Sequence, residues 1–572
     1  MDTKKHIKLR VSCFTILFAG VAVTGCLKHE ENANLTTNIT GSVAKPVSAP
    51  KSDLIKIDMG AEIPTVDPQM IEDNNSARVD TDLFAGVVTL DQSNIPVAEL
   101  AKYWDISKDG KTYTFHLRDG IKFSDGSPIT ANDVVFSWQR LVDPKTGSPY
   151  TYIANSIVNA DKVTNKQATV DQLGSKALDD HTVRLTLLYP DSDILAKLAT
   201  SSFAVISKDE VLKYGKQWTD PKNILTSGAY LMKEHVINGC LLLEKNPYYY
   251  NADNVKINQV KFFPFVDTNT ALAKYKSDAL EITWSVPVDQ FKQINNDYKD
   301  QLHVTPLEGV MFYDLNMLNP TFKDIRLRKA LNLAVDRVTI TKDVLGTGVT
   351  PNYSIITTSI DGGKYISVTY PWVNDARSKQ VADAKQLYKE AGYGPNKQLK
   401  LTILYSTGDD EKKKVALSIA SMWKDVLGVN VTVQNVDWKT FLQALQNGDY
   451  QVAADRWVAD YNGVSTYTHM YLCNAPENTA KYCNPEYDKY INQAVNSTNA
   501  KTRQDLYIKA LNIAQNDYAT IPLYQPSSRR LIKPYVKGFT PETNHLDKPA
   551  TKWIEKIRTR TSSCRPHPPT HC

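Results

Sequence analysis

The 572-residue sequence predicts a mixed α/β fold made of lobes in which strands alternate with helices. Three observations lead there. Tyr113, Phe115 and Leu117 alternate with polar neighbours, as do Val429, Val431 and Val433, the period-two signature of half-buried strands. Between and after such stretches, segments such as 381–390 and 438–446 carry apolar residues at helical spacing. The composition, 42% hydrophobic and 23% charged, is that of an ordinary globular chain. A net charge of +5 over this length is mild and gives no support to nucleic-acid binding. Thirty Tyr and nine Trp supply amphipathic rings of the kind that line ligand clefts as well as cores.

The chain opens with Lys4, Lys5, Lys8 and Arg10, followed by an apolar run over 11–23. That run is too short to span a bilayer comfortably and reads as a secretory signal. It ends in Val23-Thr24-Gly25-Cys26, which resembles a bacterial lipoprotein box and implies removal of residues 1–25 and lipidation of Cys26. Residues 26–51, rich in Asn, Thr, Ser, Ala and Pro, read as a flexible tether. No later stretch is long and apolar enough to cross a membrane. An exported chain tolerates disulfides, and Cys473 and Cys483 stand ten apart in a polar loop suited to a small ring. Cys240, in an apolar run, reads as a buried thiol. Cys564 and Cys572 belong to a tail, 559–572, whose composition reads as disordered. No cysteine or histidine spacing makes a zinc site, so no metal or cofactor is expected.

Along the mature chain, 54–59 reads as a strand and 63–68 as a turn-rich segment. The strand at 113–118 is bounded by the turns Asp119-Gly120 and Ser124-Asp125-Gly126. Thr130 with Asp133 reads as an N-cap opening a helix to Leu141. Residues 320–324 start another helix, on which Arg326, Arg328, Lys329 and Arg337 read as a solvated basic face with local ion pairs. The helix of 381–390 is stopped by Gly392 and Gly394, and a strand is expected at 450–454. Arg456-Trp457-Val458-Ala459-Asp460-Tyr461-Asn462 follows. Read alone it admits two accounts: a strand end with a solvated or capping Asp460, or a carboxylate held between two aromatics, partly out of water, where a cation is bound more strongly.

Trp104, Ser107, Asp109-Gly110 and Tyr113-Thr114-Phe115, then Leu117-Arg118, Phe123-Ser124-Asp125-Gly126 and Ala131-Asn132-Asp133-Val134, together resemble the signature of the solute-binding proteins of peptide and nickel ABC importers. Leu225-Thr226-Ser227-Gly228-Ala229-Tyr230 is similar to the family's segment returning to its first domain. Residues 324–337 and 384–393 resemble two of its helices. The resemblance covers about residues 52–545 and is nearest the oligopeptide-binding branch. It implies a two-lobed periplasmic-binding-protein fold of the three-domain peptide-binding class, closing about a hinge. By correspondence, one lobe takes residues 52–84, 208–308 and 528–558, an extra domain takes 85–207, and the other lobe takes 309–527. The chain would cross between lobes near 308–312 and 524–528.

A peptide binder must neutralise the ligand's α-ammonium in a desolvated site, at a cost of several kcal/mol if no anion is supplied. The resemblance assigns that anion to the aspartate of a Trp-x-x-Asp-Tyr motif, matched by Trp457, Asp460 and Tyr461. It puts Glu72 near a side-chain pocket, and neighbourhood adds Asn462, Trp284, Ser285 and Tyr313 as cleft candidates. The carboxylate end departs from the pattern. Positions where the family has arginines read Leu445 and Ala454, a histidine position reads Lys412, and a bracing cysteine pair reads Gly309 and Val458. Lys412, in the run Glu411-Lys412-Lys413-Lys414, reads either as a replacement that meets a carboxylate or as part of a solvated lysine run, and Arg456 is the second replacement, meeting a carboxylate from a new direction. The implied partners are short peptides with a free amino terminus, an inner-membrane ABC permease with its ATPase subunits, and a membrane reached through the lipid on Cys26. The protein is expected to act as a monomer. A murein-derived peptide is the alternative ligand, a lipid-anchored surface sensor or adhesin an alternative role, and nickel or haem binding a further variant of the fold. No Gly-x-Ser-x-Gly, His-Glu-x-x-His or phosphate loop with Lys-Ser/Thr occurs, so no enzyme is expected.

Overall fold

Leu54–Asp58 pairs in parallel with Gln259–Phe263, two strands separated by about two hundred residues of chain. The computed structural model describes residues 53–408 and 410–557. The signal, Cys26, the tether and the tail read from the sequence lie outside those residues. Cys240–Lys245 and Tyr230–Val236 complete a four-stranded sheet, whose alternate residues Ile55, Ile57, Leu241, Leu243, Val260 and Phe262 form its core. Cys240 is half-buried, not buried, because it begins its strand just after the hairpin and pairs with exposed Val236.

Between its two visits to this sheet the chain builds an antiparallel sheet of Ala101–Ile106, Thr112–Leu117, Thr182–Thr186 and Ser175–Asp179. The helix Ala131–Val142 covers it, with Trp138 in the shared core. The Asp133 carboxylate accepts from the Thr130 backbone N–H and hydroxyl, each at 2.9 Å, closing the helix start. Where the chain returns, the Gly228 N–H donates to Leu83 O. A Cβ at Gly228 would stand 2.6 Å from the Leu83 carbonyl carbon, so only glycine lets the two segments pass.

The second lobe rests on a six-stranded mixed sheet in the order Thr350–Pro351, Thr520–Gln525, Gly309–Leu315, Val452–Val458, Lys400–Ser406, Asn430–Val436. Gly309–Leu315 is buried at every position. Met311, Tyr313 and Leu315 face the core shared with Ile325–Ala334, Arg377–Glu390 and Asp410–Leu427, while Val310 and Phe312 face that of Pro485–Val495 and Ala500–Asp517. Helices on both faces explain a strand without apolar–polar alternation. The strand 452–458 runs four residues beyond the one expected from the sequence, so Arg456, Trp457 and Val458 are strand residues and Ala459 to Asn462 lie in the following loop.

The basic helix face differs from its sequence reading. Arg326 alone forms the solvated pair, with Asp324 at 2.6 Å. Arg328 is buried, donating to Asp517 O and Phe322 O at 2.7 Å each, and Arg337 is buried against carbonyls and rings. Asp517 O is the C-terminal end of Ala500–Asp517, where a cation is favoured by the helix dipole.

Two adjacent segments join the lobes. Leu302–Pro306 pairs antiparallel with Ser527–Leu531, and each continues within three residues into the six-stranded sheet. The Leu307 N–H donates to Pro526 O at the crossing. Two side-by-side strands with few residues between the bodies are the form a hinge takes.

Candidate functional site

Both lobes and the inserted layer wall one cleft, with Glu72, Trp284 and Ser285 on one side, Tyr150 between, and Arg456, Trp457 and Asp460 opposite. The strand Val452–Val458 carries Trp457 to the edge of its sheet, and the loop beyond it turns Asp460 inward. Thr466 holds that turn. Its hydroxyl accepts from the Asp460 N–H at 3.1 Å and the Trp457 indole N–H at 3.2 Å, and donates to Asp460 Oδ2 at 3.3 Å. Tyr152 OH donates to the same Oδ2 at 2.6 Å. Oδ1 takes no hydrogen bond from the described residues. Tyr150 stacks parallel to the Trp457 indole, 6.4 Å between centroids, and makes an aromatic wall beside the carboxylate.

Burial pushes the Asp460 carboxyl above its usual range; the Lys548 charge and the Tyr152 and Thr466 hydroxyls oppose the rise. Lys548 Nζ itself donates to the Asp460 backbone O at 2.8 Å. The carboxylate is therefore solvated by neutral hydroxyls with one oxygen to spare, the state in which an added cation gains most. Glu72 is also pushed up by burial, with the neighbouring Asp73 charge adding to it. Glu72 Oε2 accepts from Gln446 Nε2 at 2.6 Å, a bond that ties the two sides of the cleft.

At the basic end, Lys412 is buried rather than solvated. Its Nζ donates to Ser406 Oγ at 3.3 Å and stands 5.3 Å and 5.1 Å from the Trp438 and Phe441 rings. Arg529 is engaged by Glu411 and Thr347, and Arg530 by Asp547 at 2.7 Å under the Trp284 ring. Arg456, half-buried in the wall beside Asp455, forms no ion pair within 4.0 Å among the described residues. Ala454 and Leu445 are buried. Gly309 and Val458, where the resemblance has cysteines, are direct partners in the sheet.

Three sequence candidates stand elsewhere. Tyr313 points into the core of the second lobe, because odd-numbered residues of its strand face the side covered by Ile325–Ala334 and Asp410–Leu427. Tyr461 packs into the core of the inserted layer, its ring 5.6 Å from Lys197 Nζ. Asn462 is exposed, and its Oδ1 accepts from the Asp361 N–H at 2.9 Å. Sequence reading missed Tyr150, Tyr152, Thr466, Glu477 and Lys548; of these only Thr466 lies near enough to Asp460 in the chain for a local pattern to have suggested it. Cys473 and Cys483 form a disulfide across the loop that carries Glu477.

The family model of the bacterial extracellular solute-binding proteins, family 5, matches residues 96–479. The chain is 36% identical over 517 residues to the periplasmic oligopeptide-binding protein OppA of Escherichia coli (strain K12), covering 88% of this chain and 94% of that protein. It is 35% identical over 526 residues to the periplasmic murein peptide-binding protein MppA of the same strain, covering 91% and 96%. The crystal structure of Haemophilus influenzae OppA in complex with RPPGFSPFR is similar with a TM-score of 0.86 at 34% identity, over 89% of this chain and all of that one.

Proposed function

Because the chain belongs to family 5 of the bacterial extracellular solute-binding proteins, we propose that it captures short peptides with a free amino terminus and delivers them to an ABC permease. The observation that carries this reading is Asp460, a partly buried cleft carboxylate held by the Tyr152 and Thr466 hydroxyls with Oδ1 left for an ammonium. Trp457 and Tyr150 flank it as an apolar wall, and Glu72 stands across the cleft. The protein performs no chemistry on its ligand in this reading. It is exported and held to a membrane by lipid on Cys26.

Native mass spectrometry of protein purified from its membrane without denaturation tests this. Peptide masses co-purifying with a monomer are expected, and the peptides are recovered intact. The mature chain is expected to lack residues 1–25 and to carry lipid on Cys26. A ligand without a primary amine would sink the peptide reading, and an unmodified Cys26 would remove the anchor.

A second reading, a murein-derived peptide with extra carboxylates, is favoured by Arg456, a cleft guanidinium without an ion-pair partner among the described residues. Diamino-acid and D-glutamyl masses in the same spectra would single it out.

Acid should weaken capture. Asp460 anchors an ammonium only when ionised, and its carboxyl is raised by burial, while an α-ammonium stays charged to about pH 8. Glu72, Glu477 and Lys548 face the same space and titrate or hold charge with it. Titration calorimetry from pH 7 downward is expected to show affinity falling before the ordinary aspartate range near 4 is reached. An affinity flat to pH 4.5 would remove the carboxylate from the contact.

A further inference from the structure

Glu477 is the group in the cleft that the reading above leaves unused. It lies on the loop closed by the Cys473–Cys483 disulfide. Asn478 braces that loop from within, donating to Leu472 O at 2.8 Å and Tyr482 O at 2.5 Å. Thr479 pins it to the six-stranded sheet, its hydroxyl donating to Asp314 at 2.6 Å and its carbonyl accepting from Tyr450 OH at 2.6 Å. The loop is thus fastened on both sides of Glu477, so the carboxylate cannot readily swing to solvent.

Glu477 is 6% exposed and lines the cleft. Neither carboxylate oxygen has a hydrogen-bond partner among the described residues, apart from the nearness of its own backbone N–H. Buried carboxylates without donors are costly and rare, and each calls for a reason. The groups nearest in charge make the need sharper: Asp460 and, from across the cleft, Glu72 repel it. Asp460 alone suffices for one ammonium. Asp460 also has the Lys548 charge beside it, whereas no cation is among the charges acting on Glu477 from the described residues. A metal ion is not the answer, since no three metal-ligating side chains among the described residues stand close enough to hold one.

We propose that Glu477 binds a second positive charge on the ligand, a lysine, arginine or diamino-acid side chain carried close to the amino terminus. The proposal rests on the peptide reading and narrows it to peptides that are cationic near that end. Burial, with the Asp460 and Glu72 charges, pushes the Glu477 carboxyl up to about 8, so the empty site is mostly protonated at neutral pH. An arriving cation makes the carboxyl release its proton to solvent and donates a charge-assisted hydrogen bond to the carboxylate that remains. The sequence shows only an acidic residue in a polar loop; the fold turns it inward.

Titration calorimetry at pH 7 tests this with Lys-Ala-Ala and Ala-Lys-Ala against the same peptides with norleucine for lysine, and with Ala-Ala-Ala. Norleucine keeps the alkyl chain and removes the charge. The wild-type protein is expected to bind one of the lysyl peptides about tenfold or more tightly than its norleucine counterpart. Glu477→Gln, which keeps size and removes charge, is expected to bring that ratio within about threefold. A wild-type ratio near one overturns the proposal and leaves the peptide reading intact. So does a ratio that survives Glu477→Gln, which would assign the selection to Glu72. An equal loss for all peptides, Ala-Ala-Ala included, also overturns it, because Glu477 would then share the α-ammonium. If no tripeptide binds the wild-type protein, the peptide reading falls and this proposal with it.

Discussion

Asp460→Asn is expected to lower the affinity for a free-amine tripeptide by about 100-fold, or about 2.7 kcal/mol, and to leave that for its N-acetylated form within about threefold. Asparagine is chosen because it keeps the shape and an acceptor for Tyr152 and Thr466, which hold Oδ2 at 2.6 Å and 3.3 Å. Only the charge facing the ligand goes. A buried ammonium deprived of its counter-charge loses more than a surface pair would, because the cleft wall of Trp457 and Tyr150 keeps water away from it. The acetylated peptide supplies no ammonium and so reports everything the substitution does besides removing the pair. Calorimetric titration of both ligands separates the two effects. Equal losses would mean that Asp460 shapes the cleft without meeting the amine, and the anchor would have to be sought at Glu477 or Glu72. The melting temperature should stay close to wild type, since Asn relieves a carboxylate that burial already disfavours.

What was legible in the sequence follows how far apart the interacting groups lie. Thr112–Leu117 has one face in the core and one outside, so its residues alternate and its period shows. Gly309–Leu315 has no outside, so nothing in its seven residues separates a cleft position from a core one, and Tyr313 was misplaced for that reason. Trp457 and Asp460 sit three apart and read as a motif, but the hydroxyl that holds the carboxylate belongs to Tyr152, some three hundred residues earlier. Lys412 and Glu477 illustrate the same limit. A lysine run and a polar loop look solvated until the fold lays Trp438 and Phe441 over the one and the cleft over the other. Charge in a local stretch says little about burial when the compensating partners come from elsewhere.

Arg337 carries that point to stability. Arg337→Met is expected to cost about 2–4 kcal/mol, seen as a melting temperature lower by about 2–4 °C in a chain of this size, with tripeptide affinity at 25 °C unchanged. The side chain is 1% exposed, and its guanidinium reaches Pro522 O and Asn332 Oδ1 at 2.7 Å each, and Val335 O at 3.2 Å. Tyr353 and Trp372 cover it, at 5.1 Å and 5.5 Å from ring centroid to guanidinium carbon. Burial pulls its pKa down to about 10, so it is still a cation at neutral pH. Methionine restores most of the volume and spares the cost of a buried charge. It leaves the carbonyls of two sheet and helix ends short of a donor, and those unmet acceptors dominate the balance. Arg337→Lys should not rescue, because one ammonium cannot fan out to acceptors on opposite sides as the planar fork does. Pro522 lies on the strand that leads into the crossing between lobes, yet Arg337 itself touches no cleft residue named above, so stability should fall while binding holds. Asp460→Asn is expected to do the reverse. A melting temperature within about 0.5 °C of wild type would show that the saved desolvation of the charge cancels the lost hydrogen bonds. A loss of affinity at 25 °C would place Arg337 in the coupling between the strand and the hinge rather than in the core alone.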